Sequence, residues 1–411
     1  IACLSGCSAG NTEIASSSAA TATVTPTTDS TEVPASNNVF TSAGDGLYVT
    51  TDSGIYELQT VFPDSANIFY TDANTKERIF LCANPNCTHA DESCPSYIAT
   101  PSAMFPPMLL RVGDQLLVVF TEATDSSNPH GMLMNMDGSN RRTVFELASN
   151  QYMQGGFCTS GNDLYFDLYE INDSGNVTYQ LWYVSFENGT SEKVMDLGSD
   201  SDHYSLCDGA NNELCFNHVS SDGISYCMYN PQSKTISDPF FVDSSVSGNS
   251  MIQDGYLFVL DEQASSVQRI RLSDEEQASA SFTVKEGFGA PSMRYLFDGN
   301  LMITEAQTTA SDIPTDGSYG VCSYILDFGT RNCTEFTLQT PYNNRPVYVL
   351  TTIGDACYVA TDYKTYTPTS VSEDGTVSNF DYVANIYAFI TKQDYINSNQ
   401  NGYSMVKDAF E

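Results

Sequence analysis

A β-propeller of seven blades, an all-β fold, is the architecture this 411-residue sequence predicts, and three observations carry it. Helical periodicity is almost absent, while short alternating runs rich in Tyr, Phe, Val, Ile and Thr follow one another between Gly, Asp, Asn and Ser turns. One phrase recurs seven times: a turn of Gly, Asp or Asn, then an apolar pair that opens a strand. After a long first gap the repeats fall 43 to 56 residues apart, the spacing of four-stranded blades.

In order, the phrase stands at Gly44-Asp45-Gly46-Leu47-Tyr48, Gly113-Asp114-Gln115-Leu116-Leu117, Gly161-Asn162-Asp163-Leu164-Tyr165 and Asn211-Asn212-Glu213-Leu214-Cys215. It returns at Asp254-Gly255-Tyr256-Leu257-Phe258, Asp298-Gly299-Asn300-Leu301-Met302 and Gly354-Asp355-Ala356-Cys357-Tyr358. Each turn leads into an inner strand, and the hairpin that follows supplies the outer two. The third unit shows this fully. Leu164–Leu168 is followed by a turn at 173–176, then Tyr179–Val184, a turn at 187–190, and an outer strand at Glu192–Met195. The long first gap holds one unit and a cysteine-rich insertion. Six or eight blades are the neighbouring counts, and a β-sandwich or β-helix would need fortuitous spacing. The ring is expected to close by pairing Val39-Phe40-Thr41 with the C-terminal blade, because closure removes exposed sheet edges.

The N-terminal segment reads differently. Leu4-Ser5-Gly6-Cys7 has the form of a bacterial lipobox, so residues 1–6 read as a signal-peptide remnant and Cys7 as the lipid-attachment site. Residues 7–38 are mostly Ser, Thr, Ala, Pro and Asn, too poor in apolar side chains to pack, and read as a tether. The propeller then spans 39–411. This order predicts a lipid-anchored protein on the extracellular face of the bacterial cytoplasmic membrane, its membrane contact made through Cys7. No run approaches the roughly 20 apolar residues of a membrane helix.

Sixteen basic residues against 51 acidic ones give a formal charge of -35. Such a polyanion repels nucleic acid and anionic headgroups. The acids are dispersed, and no calcium-loop spacing appears among them.

Two phrases carry a family resemblance. Asn67-Ile68-Phe69-Tyr70-Thr71-Asp72, continuing to Ile79, resembles the Tyr-Trp-Thr-Asp repeat of lipoprotein-receptor propellers, with Phe69-Tyr70 in place of Tyr-Trp. Met134-Asn135-Met136-Asp137-Gly138-Ser139-Asn140-Arg141-Arg142 is similar to the continuation of that repeat. The body as a whole resembles surface lipoproteins of Gram-positive gut bacteria built on a related propeller domain of unknown function. That group shares a short Cys/His cluster and a closing segment like Ile390-Thr391-Lys392-Gln393-Asp394-Tyr395. The resemblance implies a location and a fold but no reaction. It also implies six blades where the repeats number seven.

Cys82, Cys87, His89 and Cys94 form a C-x4-C-x-H-x4-C cluster inside the insertion at 82–94. Three thiols and an imidazole match a closed structural zinc site in type and number. Pro85-Asn86 and Asp91-Glu92-Ser93 would supply the turns that converge them. A disulfide, Cys82–Cys94 or Cys87–Cys94, is the competing reading in an oxidising compartment. Two further pairs, Cys215 with Cys227 and Cys322 with Cys333, flank hairpin turns and could bridge them, provided the register puts both on one face. Cys158, Cys207 and Cys357 read as small buried residues.

None of the four histidines (His89, His130, His203 and His218) lies in a nucleophile-and-base motif, and phosphate-cradling glycine loops are absent. The expected function is therefore a non-enzymatic binding or scaffold module for a peptide, glycan or protein ligand, with structural zinc as the sole cofactor expected. The alternative is an extracellular polysaccharide hydrolase or lyase using carboxylates in the central funnel. An apolar or flat funnel would exclude it.

Overall fold

The computed structural model describes residues 40–42, 46–61, 65–100, 106–124, 126–243, 249–307, 320–366, 369–371, 377–379 and 382–408. Cys7 and the tether lie outside the described residues, as does Val39.

Seven four-stranded antiparallel blades follow one another, the seven-blade expectation from the repeats. Their first strands are Tyr48–Thr50, Met108–Val112, Gln151–Ser160, Asp202–Ala210, Ser250–Gln253, Phe288–Tyr295 and Val349–Ile353. From the second blade onward, the recurring phrase forms the turn between first and second strands. Gly113, Gly161, Asn211, Asp254, Asp298 and Gly354 all have positive φ there, which explains why only Gly, Asn and Asp recur. Turns between third and fourth strands are closed by side chains instead. Asp72 accepts the amides of Asn74 and Thr75, and Asp327 accepts those of Gly329 and Thr330. Both resemblance phrases therefore have a mechanical reading, since Asp137 likewise accepts the Ser139 amide.

Packing repeats with the same count. Seven apolar clusters each join two neighbouring blades, as Leu117 and Phe145 of the second blade meet Phe157 and Phe166 of the third. The cluster between the last and first blades is small, with only Ile55, Tyr358, Tyr387 and Phe389 buried in it. A polar seam supplements it. Arg78, 1% exposed, donates to Glu57 Oε2 at 2.7 Å and to Asp408 at 3.3 Å. Its guanidinium lies 3.9 Å from the Phe69 ring centre and 5.1 Å from that of Tyr387, whose hydroxyl donates to Glu57.

Closure differs from the expectation. Thr41 and Ser42 pair with Thr159 and Cys158, on the inner edge of the third blade, rather than with the C-terminal blade. Phe40 decides this: its ring packs edge-on to Tyr165 and its amide donates to Asn211. The C-terminal segment joins the ends instead. Ser404–Met405 completes the seventh blade, and Lys407–Asp408 then adds in parallel to the outer strand of the first, Glu77–Phe80.

The hairpin bridges are corrected as well. Cys215 faces Met228 and Cys227 faces Phe216, so a one-residue offset puts the two thiols on opposite sheet faces. Cys333 stands opposite Leu326, four residues along the strand from Cys322, or about 13 Å at strand rise. All four thiols are free. Cys158 and Cys357 are fully buried, and Cys207 is partly exposed.

Asp167 gives the fold a pH dependence. It is 1% exposed, and burial pushes its carboxyl up to about 7 although it accepts the Leu206 amide at 3.1 Å. A raised carboxyl pKa favours the protonated folded state, so this contribution is complete below about 4 and lost as pH rises through about 7. Asp167→Asn is expected to remove that loss. The difference in urea midpoint between pH 5 and pH 8 should shrink in the variant, and an unchanged difference would contradict the assignment.

Candidate metal centre and axial cavity

The Cys/His insertion interrupts the outer edge of the first blade. Glu77–Phe80 pairs with one half of the third strand and Tyr97–Ala99 with the other, and the loop between them carries the cluster. Both expected turns form. The Cys87 amide donates to the Asn84 carbonyl across Pro85-Asn86, and the Cys94 amide to Asp91 across Glu92-Ser93. His89 has a φ of 56°, and its ring stacks on Phe80 with centres 3.9 Å apart.

The result brings one ligand atom each from Cys82, Cys87, His89 and Cys94 within 4.8 Å of one another. His89 Nδ1 lies 3.2 Å from Cys94 Sγ. Three sulfurs and a nitrogen at such separations fit a four-coordinate metal with no open position. Cys94 is the buried member, 1% exposed. Burial pushes its thiol up, but contacts from Ser96 and His89 prevail and bring it down to about 6. Ser96 is anchored in turn, donating to Asn67 Oδ1 at 2.9 Å. Arg141 pins the far side of the loop through the Pro95 and Tyr97 carbonyls. Neither support is visible in the cluster's spacing, because Asn67, which anchors Ser96, and Arg141 are distant from it in sequence.

A cavity of about 740 Å³ is lined by Phe40 and by first strands and following turns of the fourth to seventh blades, with Tyr48 of the first. It is neither apolar nor flat. Asp208, Asp254 and Asp298 line it beside Tyr256 and Tyr295. All three carboxylates are held by the chain itself. Asp208 accepts the amides of Gly209 and Gly255 at 2.7 and 2.8 Å. Asp254 accepts the Tyr295 hydroxyl, and Asp298 accepts Lys392 Nζ at 2.9 Å. Arg271 pairs with Asp274 and Glu276. The other histidines lie apart from this wall: His130 stacks on Phe120, His203 on Tyr179, and His218 bonds Asp202 at 2.7 Å.

No protein-family model matches the chain, and no curated protein is similar to it. Solved structures resemble it at the level of fold. An oligogalacturonate lyase from Vibrio parahaemolyticus is 10% identical, with 85% of this chain and 91% of that one covered and a TM-score of 0.40. The propeller domain of a trilobed protease from Pyrococcus furiosus is 13% identical, covering 74% and 99%, with a TM-score of 0.37. The tricorn protease is 10% identical over 84% of this chain with a TM-score of 0.32, and this chain spans 35% of its length. The seven successive four-stranded blades themselves define the class as a β-propeller, a fold that hosts many unrelated functions.

Proposed function

We infer that the chain is a lipid-anchored protein of the bacterial cell surface whose propeller is a binding module, with a structural zinc ion at Cys82, Cys87, His89 and Cys94. The observation that supports binding over catalysis is the state of the axial carboxylates. Each of Asp208, Asp254 and Asp298 already accepts hydrogen bonds from donors of the fold, which supports a structural role for all three. The polysaccharide hydrolase or lyase reading keeps one observation in its favour, since Asp254 and Asp298 remain exposed beside Tyr256 and Tyr295. A panel of peptide, glycan and protein ligands, with reducing-sugar release measured on the glycans, separates the two. Saturable binding without product supports the module, and product formation favours the enzyme.

The anchoring part rests on Leu4-Ser5-Gly6-Cys7 and the tether composition. Cys7→Ala is expected to release the protein into the medium. Membrane retention of that variant after a salt wash would overturn the lipobox reading.

Zinc in this site would be structural, because all four positions of its shell come from the protein. About one equivalent of metal is expected in the native protein. A chelator should loosen only the 82–94 loop, because the apolar clusters that join the blades contain none of the four ligands. His89→Ala should weaken metal retention, whereas in a disulfide-closed loop it would be silent. A Cys82–Cys94 or Cys87–Cys94 bridge found by mass spectrometry in anaerobically purified protein would end the zinc reading.

A further inference from the structure

An extended segment of the chain's own already adds to an inner strand edge next to the axial cavity. Thr41 and Ser42 run antiparallel along the inner edge of Gln151–Ser160, and Phe40, just before them, forms part of the cavity wall. The same cavity is bordered by Ser250–Gln253, Phe288–Tyr295 and Val349–Ile353, each the terminal strand of its sheet. Among the described residues no strand pairs with their inward edges. Unpaired strand edges are templates for an added strand, and main-chain hydrogen bonds supply much of the affinity when a peptide takes that place. A volume of about 740 Å³ lies within the roughly 300–1,000 Å³ of ligand pockets.

Charge selects the peptide. Arg271 and Lys392, on or beside this wall, are engaged by acids of the chain. Arg294 is different: it lines the cavity, is exposed, and has no ion pair among the described residues. Its guanidinium lies 4.3 Å from the Tyr348 ring centre, a contact that orients the planar fork and leaves its edge available to a carboxylate. Asp208, Asp254 and Asp298 share the cavity but accept hydrogen bonds from other donors of the chain, so Arg294 is a cation of this wall placed to meet an incoming carboxylate.

We propose that the axial cavity binds an extended acidic peptide, which pairs with the inner edge of Phe288–Tyr295 as residues 41–42 pair with the third blade, and which gives a carboxylate to Arg294. This rests on the binding-module reading and names its ligand class.

The test pans the full-length protein against a random nonapeptide library with a fixed central Asp or Glu, then measures enriched peptides by fluorescence anisotropy. Arg294→Gln should weaken binding at least tenfold, the scale of one lost charge-assisted hydrogen bond. Changing the central acid to its amide should cost the same factor, with little further loss when the two changes are combined. N-methylation of alternate peptide amides should abolish binding in one register and be tolerated in the other. The thermal midpoint of Arg294→Gln should match the parent, because the side chain is exposed. Absence of enrichment, equal binding to Arg294→Gln, or indifference to N-methylation in both registers would overturn the proposal. If a glycan binds in the cavity and no peptide does, the peptide assignment fails while the binding module stands. If neither binds, both fail.

Discussion

Arg78→Ala is expected to destabilise the propeller by about 3–5 kcal/mol, the usual cost of removing one partner from a buried ion pair. The reason is what remains behind. Glu57, 5% exposed, would lose both guanidinium donors to its Oε2 and keep the Tyr387 hydroxyl at its Oε1. Asp408 would lose one of the contacts that hold the C-terminal strand to the first blade. Against a total stability of about 5–15 kcal/mol, this is a large fraction. Chemical denaturation should show a lowered midpoint, and the paired change Arg78→Met with Glu57→Gln should recover much of it, because no buried charge is then orphaned. A parent-like midpoint for Arg78→Ala would mean that the seam does not close the ring.

Phe40→Ala carries the second large effect, about 3–5 kcal/mol for a buried aromatic side chain. Phe40 is 7% exposed and belongs to the cluster between the third and fourth blades with Tyr165, Leu206 and Phe216. Gly209 lies directly beneath it, with no room there for a Cβ. Deleting residues 13–31 should leave the denaturation midpoint unchanged. Because the N-terminal segment holds two adjacent blades and the C-terminal segment holds the ends together, the losses in Phe40→Ala and Arg78→Ala should add within about 0.5 kcal/mol. Strong coupling between them would mean that both segments close the same interface.

The parts legible in the sequence are those set by local chemistry. Positive φ at Gly113, Asn211, Asp254 and Gly354 restricts those positions to a few residue types, so the blade period could be counted directly. The Cys/His cluster was legible for the same reason, since its turns at Asn84-Pro85-Asn86 and Asp91-Glu92-Ser93 are written in turn-forming residues. What stayed hidden depends on which edge a short strand chooses. Lys407-Asp408 is two polar residues with no apolar alternation, and Arg78 in Glu-Arg-Ile-Phe reads as an exposed edge residue although it is buried. Cys322 and Cys333 fail on separation along the ladder, and Cys215 and Cys227 on register. Two thiols symmetric about a turn fall on opposite faces when the pairing is offset by one residue, and spacing does not reveal that offset.

The direct test of the binding-module account is a mass balance on ligand held by the protein. A ligand from the panel that binds saturably is incubated to equilibrium with stoichiometric protein, released by denaturation, and weighed by mass spectrometry. The account predicts that the ligand returns chemically intact, and that Asp254→Asn with Asp298→Asn leaves its recovery unchanged. Cleaved ligand from the parent protein, and intact ligand from the doubly substituted one, would show that the axial carboxylates do chemistry and would contradict it.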